Sequence, residues 1–309
     1  MIADLGLRTA ECGKGSLILD NGCWILVLLK PEKMPELPEV HTIVNDLNVA
    51  GLVGTTIAAA RVFWPRSIAF PSAKAFCRAI KGKKISAITR RGKYLVFDFE
   101  NSHHLLIHLR MSGRIHLVEA DSKRLKHEHV ILSFDDGKQL RFHDTRKFGR
   151  MYLVDNPQKI LNKLGPEPLA GDFKFKKFAE RLKKRKRLLK PLLLDQTFIA
   201  GLGNIYVDEA LWEAKIHPCR IASSLSDAEI KSLLRAIPKV LKRGIKNLGT
   251  TLGTGKTNFY SVARRRGQNR EKLKIFRRTG LPCPRCKATI ERIIVAQRST
   301  HLCPKCQKI

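Results

Sequence analysis

The spacing Cys283-x2-Cys286-x16-Cys303-x2-Cys306 constrains this 309-residue chain more than any other feature. Two close pairs of thiols, joined by a hairpin-length spacer, suit one tetrahedral zinc ion. All four positions are then filled by protein, so the zinc is structural. It folds a small β-hairpin that cannot bury enough apolar surface alone. A disulfide origin is the competing explanation. The other four cysteines, Cys12, Cys23, Cys77 and Cys219, are scattered, which fits a reducing cytosol with one metal site better than a disulfide framework.

The partner class follows from charge. Fifty-nine Lys and Arg stand against 27 Asp and Glu, a formal net charge of +32. Residues 1–33 contribute nothing to it, because Arg8, Lys14, Lys30 and Lys33 balance Asp4, Glu11, Asp20 and Glu32. The whole excess sits in 34–309 and points to a polyanion such as nucleic acid. A 43% hydrophobic content argues for a folded globule rather than a basic tail. No apolar run approaches a membrane span, and no signal peptide is evident.

Met34-Pro35-Glu36-Leu37-Pro38-Glu39-Val40 reads as a start rather than an interior. An initiator Met is trimmed before Pro, which would expose Pro35 as a secondary amine. Such an amine attacks an aldehyde-like carbon and forms an iminium, and the adjoining Glu36 carboxyl can move protons. Acylated inside a longer chain, Pro35 has no free lone pair. Residues 1–33 are therefore expected to be an extension from a start codon placed too early. A targeting or regulatory extension is the alternative. The same heptapeptide also reads as a Pro-bounded helix start, with Val40, Ile43, Val44 and Leu47 as an apolar stripe.

Downstream, Ile57–Trp64, Tyr94–Phe99, Leu105–Leu109, Val130–Phe134 and Gln139–His143 read as strands, with Asp135-Asp136-Gly137 as a hairpin turn. Asn156–Gly171 reads as a Pro-containing linker. From 172 to 250 the pattern is helical, and Ser226-Asp-Ala-Glu229 is a capping box. Pro238 is expected to kink that helix. Thr250–Gly280 reads as a basic loop. Ala200-Gly-Leu-Gly-Asn-Ile-Tyr206 reads as a tight turn with exposed backbone, whose following helix offers its N–H groups to a phosphate. Asn204 is placed to cap that helix or to touch the phosphate. The run Lys174–Lys190 holds ten Lys and Arg against one Glu, which suits either a solvated face or phosphate contact.

Taken in order, Pro35–Val40, Arg91-Gly-Lys-Tyr-Leu95, His108-Leu-Arg-Met-Ser-Gly113, Asp144-Thr-Arg-Lys-Phe-Gly149, the 200–206 turn and the four-cysteine module resemble the bacterial formamidopyrimidine-DNA glycosylase family, over nearly all of 34–309. The resemblance implies an α+β fold: an N-terminal helix plus antiparallel β-sandwich over 34–165, a helix–two-turn–helix domain over 166–262, and a zinc-finger hairpin over 263–309. It implies a bifunctional DNA glycosylase/AP lyase that excises formamidopyrimidines and 8-oxoguanine in base excision repair. Pro35 forms the Schiff base, Glu36 assists by proton transfer, and Lys93 and Arg298 help β,δ-elimination. DNA contacts are implied for His127, Arg185, Lys190 and Asn204. Met111 and Phe148 would fill the gap left by the extruded nucleotide while Arg146 holds the orphaned base. Read alone, Met111 and Phe148 are ordinary core residues and Arg298 a solubilising one. The implied partner is double-stranded DNA containing oxidised bases or abasic sites, and the implied state is a cytoplasmic, nucleoid-associated monomer with no membrane.

The chain departs from the family pattern at His41, Thr145, Lys147, Arg187 and Arg277, and most of all in the loop Gly253–Val262. Leu37 in the start motif favours the purine-directed branch over the endonuclease VIII-like, pyrimidine-directed one. A non-catalytic damaged-DNA-binding protein on the same fold becomes the better reading if Pro35 stays acylated. A basic zinc-ribbon protein of the ribosome explains the charge and cysteines but not the Pro35 segment.

Overall fold

The computed structural model describes residues 34–309, apart from 172 and 254–258, together with three short strands near the start. Those strands, β1 (Glu11–Cys12), β2 (Gly15–Asp20) and β3 (Cys23–Val27), form an antiparallel sheet in a unit of their own, Met1–Lys33. No clear periodicity in the sequence announces them.

In the second unit, α1 (Leu37–Val49) opens at the proline-rich start. Pro38 sits in its first turn, and the Glu39 carboxylate accepts the Glu36 N–H at 2.9 Å. The strands and helices that follow are β4 (Ile57–Val62), β5 (Ile68–Phe70), α2 (Ala73–Ile80), β6 (Ile85–Arg91), β7 (Tyr94–Phe99), β8 (His104–His108), β9 (Gly113–Glu119), β10 (Glu128–Phe134), β11 (Lys138–Asp144) and β12 (Arg150–Val154). They make two sheets, ordered β4-β10-β11-β9 and β5-β12-β8-β7-β6, antiparallel except where β5 meets β12. Val40, Ile43, Val44 and Leu47 of α1 share one buried core with Phe97 and Ile107 of the larger sheet and Val130 and Phe142 of the smaller. That is the expected sandwich, closed at one side by the amphipathic stripe of α1. All five strands read from the sequence are present, and Asp135–Gly137 turns between β10 and β11.

The supposed linker is more ordered than its prolines suggest. It holds α3 (Gln158–Leu161), and the Glu167 carboxylate accepts N–H groups from Arg90, Arg91 and Gly92. Next come α4 (Phe175–Lys183), α5 (Leu189–Leu194), α6 (Asn204–Ala214) and α7 (Asp227–Lys246) around a second core. The capping box at Ser226 and Glu229 is formed, and α7 continues as one helix through Pro238. Leu37 packs into this second core, so α1 reaches from the sandwich into the helices. Residues 250–280 contain only a short 3-10 turn among those described, as expected. β13 (Glu291–Val295) and β14 (Arg298–Leu302) form the C-terminal hairpin.

Candidate active site

Two glycines bring the start of α1 against the start of α6. Gly201, at φ +93°, takes a backbone conformation that side chains resist, and an added Cβ would lie 2.5 Å from Leu37. Gln196 braces this turn from both sides, accepting the Gly201 N–H and donating to the Leu202 carbonyl. The Leu37 N–H then donates to the Gly201 carbonyl at 3.0 Å. At Gly203 a Cβ would sit 2.3 Å from the Glu36 carboxyl carbon. The absence of side chains at both positions lets Glu36 enter.

Its carboxylate occupies the N-terminus of α6. Gly203 N–H donates to Oε2 at 2.8 Å, Ile205 N–H to Oε1 at 2.9 Å and Tyr206 N–H to Oε2 at 3.3 Å. Two sequence expectations change here. The Gly-rich turn is buried rather than exposed, and the anion at the helix start is Glu36, not a phosphate. The helix is capped at Gly203, leaving Asn204 as its first residue. Asn204 instead donates from Nδ2 to the Ser299 carbonyl at 2.9 Å.

Three amide donors and a helix N-terminus favour the charged carboxylate, but burial outweighs them. Glu36 is only 3% exposed, and desolvation pushes its carboxyl up to about 7 from 4.5, although the Lys93 ammonium pulls the other way. Lys93 is buried too, and loss of hydration lowers its pKa while Glu36 and Glu39 raise it. The pair thus holds an acid poised near neutrality beside a cation with weakened hold on its proton. Glu39, pushed up mainly by burial, accepts the Tyr206 hydroxyl at 2.9 Å and the Thr250 N–H at 2.7 Å. His108, driven down to about 3 mainly by burial and also by Arg110 and Lys93, stays neutral with Nδ1 accepting the Arg110 N–H.

Glu39, Tyr206, Thr250 and His108 carry no role that the sequence alone suggests. Glu39 lies inside the start motif, and Tyr206 at the end of the Gly-rich one. Their meeting joins segments 167 and 211 residues apart, which no local pattern records.

Met111 and the pair Arg146 and Phe148 come together on neighbouring loops. The Ser112 hydroxyl and the Arg146 N–H both donate to Asp144 Oδ1, and the Gly149 N–H donates to Oδ2 at 2.7 Å. The Arg146 guanidinium stacks 4.7 Å from the Phe148 ring, and Phe148 is 45% exposed. Phe148 is therefore no core residue, and Met111 is half-buried. His127 is half-buried near His129 and His143, and Arg185 is exposed.

Lys190 departs from the expected DNA contact. It is fully buried, its Nζ 2.6 Å from Asp208 and 3.0 Å from the Ser299 carbonyl. In this arrangement its ammonium faces Asp208 and the Ser299 carbonyl rather than solvent. Asp208 also accepts the His301 N–H at 2.9 Å, so Lys190, Asp208 and Asn204 fasten α5 and α6 to β14 beside Arg298.

The four thiols of Cys283, Cys286, Cys303 and Cys306 lie within 4.8 Å of one another, with Sγ–Sγ separations of 4.0 Å (283–306) and 3.3 Å (286–303). A tetrahedron with bonds of about 2.3 Å needs sulfurs somewhat under 4 Å apart, so the cluster fits zinc. Trp212 Nε1–H and the Cys306 N–H point at the sulfurs of Cys283 and Cys303, as donors around a thiolate site do.

Three family models cover the second unit. They are the formamidopyrimidine-DNA glycosylase N-terminal domain over residues 34–151, the H2TH domain of the same enzymes over 164–255, and the zinc finger found in FPG and IleRS over 280–309. A formamidopyrimidine-DNA glycosylase of Protochlamydia amoebophila is 50% identical over 275 residues, 89% of this chain and all of that protein. One from Herpetosiphon aurantiacus is 47% identical over 277 residues, again 89% of this chain and all of the relative. A solved Lactococcus lactis FPG mutant in complex with Fapy-dG-containing DNA superposes with a TM-score of 0.83 at 39% identity, over 89% of this chain and 100% of that one. The chain belongs to the formamidopyrimidine-DNA glycosylase family.

Proposed function

We propose that the chain is a bifunctional DNA glycosylase and abasic-site lyase for oxidised purines, with Pro35 as its nucleophile. The observation that carries the reading is the seating of Glu36 on α6 with its carboxyl near 7, directly beside Pro35 in sequence. Residues 34–165 serve as the catalytic domain, 166–262 as the helix–two-turn–helix domain and 263–309 as the zinc module.

The Pro35 amine, once free, attacks C1′ of the damaged nucleotide. The C1′–N bond breaks and its electron pair leaves with the base, which takes up a proton. Glu36 exchanges protons at the sugar, opening the ring to an iminium. Loss of a proton from C2′ expels the 3′ phosphate, and a second elimination expels the 5′ phosphate. Lys93 supplies positive charge beside these steps, because its ammonium is already desolvated and needs no reorganisation. Met111 and Phe148 fill the emptied stack, and Arg146 hydrogen-bonds the orphaned base. His127 and Arg185 face the backbone, and Arg298 assists the eliminations with Lys93. Zinc, held by the four cysteines, fixes the hairpin that carries Arg298.

The reading requires a chain beginning at Pro35. Borohydride trapping on abasic-site DNA tests this directly. Protein starting at Pro35 forms a covalent adduct, and protein retaining Met34 or residues 1–33 does not. No adduct from the Pro35 form would overturn the mechanism and leave a non-catalytic DNA-binding protein.

A further inference from the structure

A second set of cation–aromatic stacks runs outward from the Arg146 and Phe148 loop. The Lys147 ammonium lies 4.0 Å from the Trp64 ring, and the Arg66 guanidinium lies 5.9 Å from the same ring. The Arg124 guanidinium lies 3.9 Å from the Phe63 ring, which is itself 45% exposed. These residues come from three separate stretches, and backbone bonds make them one surface. The Phe63 N–H donates to the His129 carbonyl at 2.8 Å, and the His129 ring bonds the Asp144 carbonyl at 2.9 Å. Asp144 in turn leads into Arg146 and Phe148. The strip is thus continuous with the loop that reads the gap.

The chemistry of the strip points to a polyanion with sugar faces. Arg66, Arg124 and Lys147 are exposed, and none takes part in the described ion pairs. A guanidinium over a ring face spends none of its N–H groups on that contact, so a phosphate can take two of them. Stacking also fixes the side chain beforehand, so less rotamer freedom is lost on binding. A lone solvated arginine needs no such platform. The exposed Phe63 ring gains by being covered, which phosphates alone would not do but deoxyribose would.

We infer that Phe63, Trp64, Arg66, Arg124 and Lys147 form an outer DNA-backbone contact that grips the duplex flanking the lesion; this rests on the DNA glycosylase reading above. The strip adds to the footprint and takes no part in excision.

The test is the salt dependence of binding to a duplex carrying a stable abasic analogue, comparing the Pro35-start protein with its R66S/R124S variant. Each phosphate that the protein no longer neutralises lowers the slope of log K against log salt by about 0.9, so the variant's slope falls by about 2 on a long duplex. Between 50 and 200 mM salt, that makes the variant's drop in affinity about tenfold smaller than the parent's. Shortening the duplex stepwise from each end abolishes the difference once the flank is gone, while single-turnover excision on saturating DNA is the same for both proteins. Equal slopes on the long duplex overturn the inference. Failure of the parent itself to bind the abasic duplex overturns the DNA reading instead.

Discussion

Replacing Gly203 by Ala tests whether the seat of Glu36 is as narrow as it looks. The backbone at 203 is extended, at φ −132° and ψ −164°, so alanine meets no strain there. The added methyl instead meets Glu36, 2.3 Å from Cδ and 2.7 Å from Oε1. To reach ordinary contact distance, Cδ would have to retreat by about 1 Å and Oε1 by somewhat less. That breaks the bonds from Gly203, Ile205 and Tyr206, at 2.8, 2.9 and 3.3 Å. Hydrogen bonds to a charged group contribute about 1.5–3 kcal/mol each, and the third here is weak. Entropy lost by the unfolded chain on going from Gly to Ala offsets about 0.4–1 kcal/mol. Taken together, we expect a loss of about 2–6 kcal/mol. Thermal unfolding should show it as a fall of roughly 5–15 °C. Borohydride trapping by the Pro35-start protein should fall at the same time, because the Glu36 carboxyl is no longer held on α6. A melting temperature within about 1 °C of the parent, with trapping intact, would refute the geometry described for this seat.

Two further outcomes follow from the same interior. The folded state holds the Glu36 proton more tightly than the unfolded chain does, so stability falls as pH rises from 4.5 to 7. At about 1.4 kcal/mol per pH unit, that carboxyl removes about 3 kcal/mol across the window. Glu36→Gln should flatten urea-melt stability there, and Glu39, raised in the same direction, should leave some slope; an unchanged profile would count against the shift. Lys190→Met leaves Asp208 buried without its cation, at a cost of about 3–5 kcal/mol read from the urea midpoint. If Lys190 acts through the Ser299 carbonyl, its effect on DNA affinity should vanish in an Arg298→Ala background, whereas additive losses would restore it as a direct contact.

What is readable in the sequence is local. Short β-branched or aromatic runs and turn chemistry announce β7, β10, β11 and their hairpin, and a capping box announces α7, because those signals lie within a few residues. β6, β9 and β12 escape, since charged residues such as Arg90, Arg114 and Arg150 interrupt their apolar pattern. Cysteine spacing reveals the metal cluster for the same local reason. The active site is legible as separate motifs but not as an arrangement. Glu36 and the Gly-rich turn both stand out, yet one reads as a proton carrier and the other as a seat for phosphate. Only the fold shows that they bind each other. Lys190 misleads in a different way: a lysine in a basic run reads as solvent-facing, and nothing local reveals that Asp208 waits one helix later to bury it.

The Asp144 tie has a mechanical side. Met111 lies where the chain passes from the larger sheet to the smaller, between β8 and β9, and Arg146 and Phe148 lie where it returns, between β11 and β12. Both crossings are stitched at one seam by Ser112, Asp144 and Gly149. If Met111 and Phe148 act as the proposed wedge, a load on them passes into both sheets at once. Forcing bases apart would then strain a braced joint rather than a cantilevered loop.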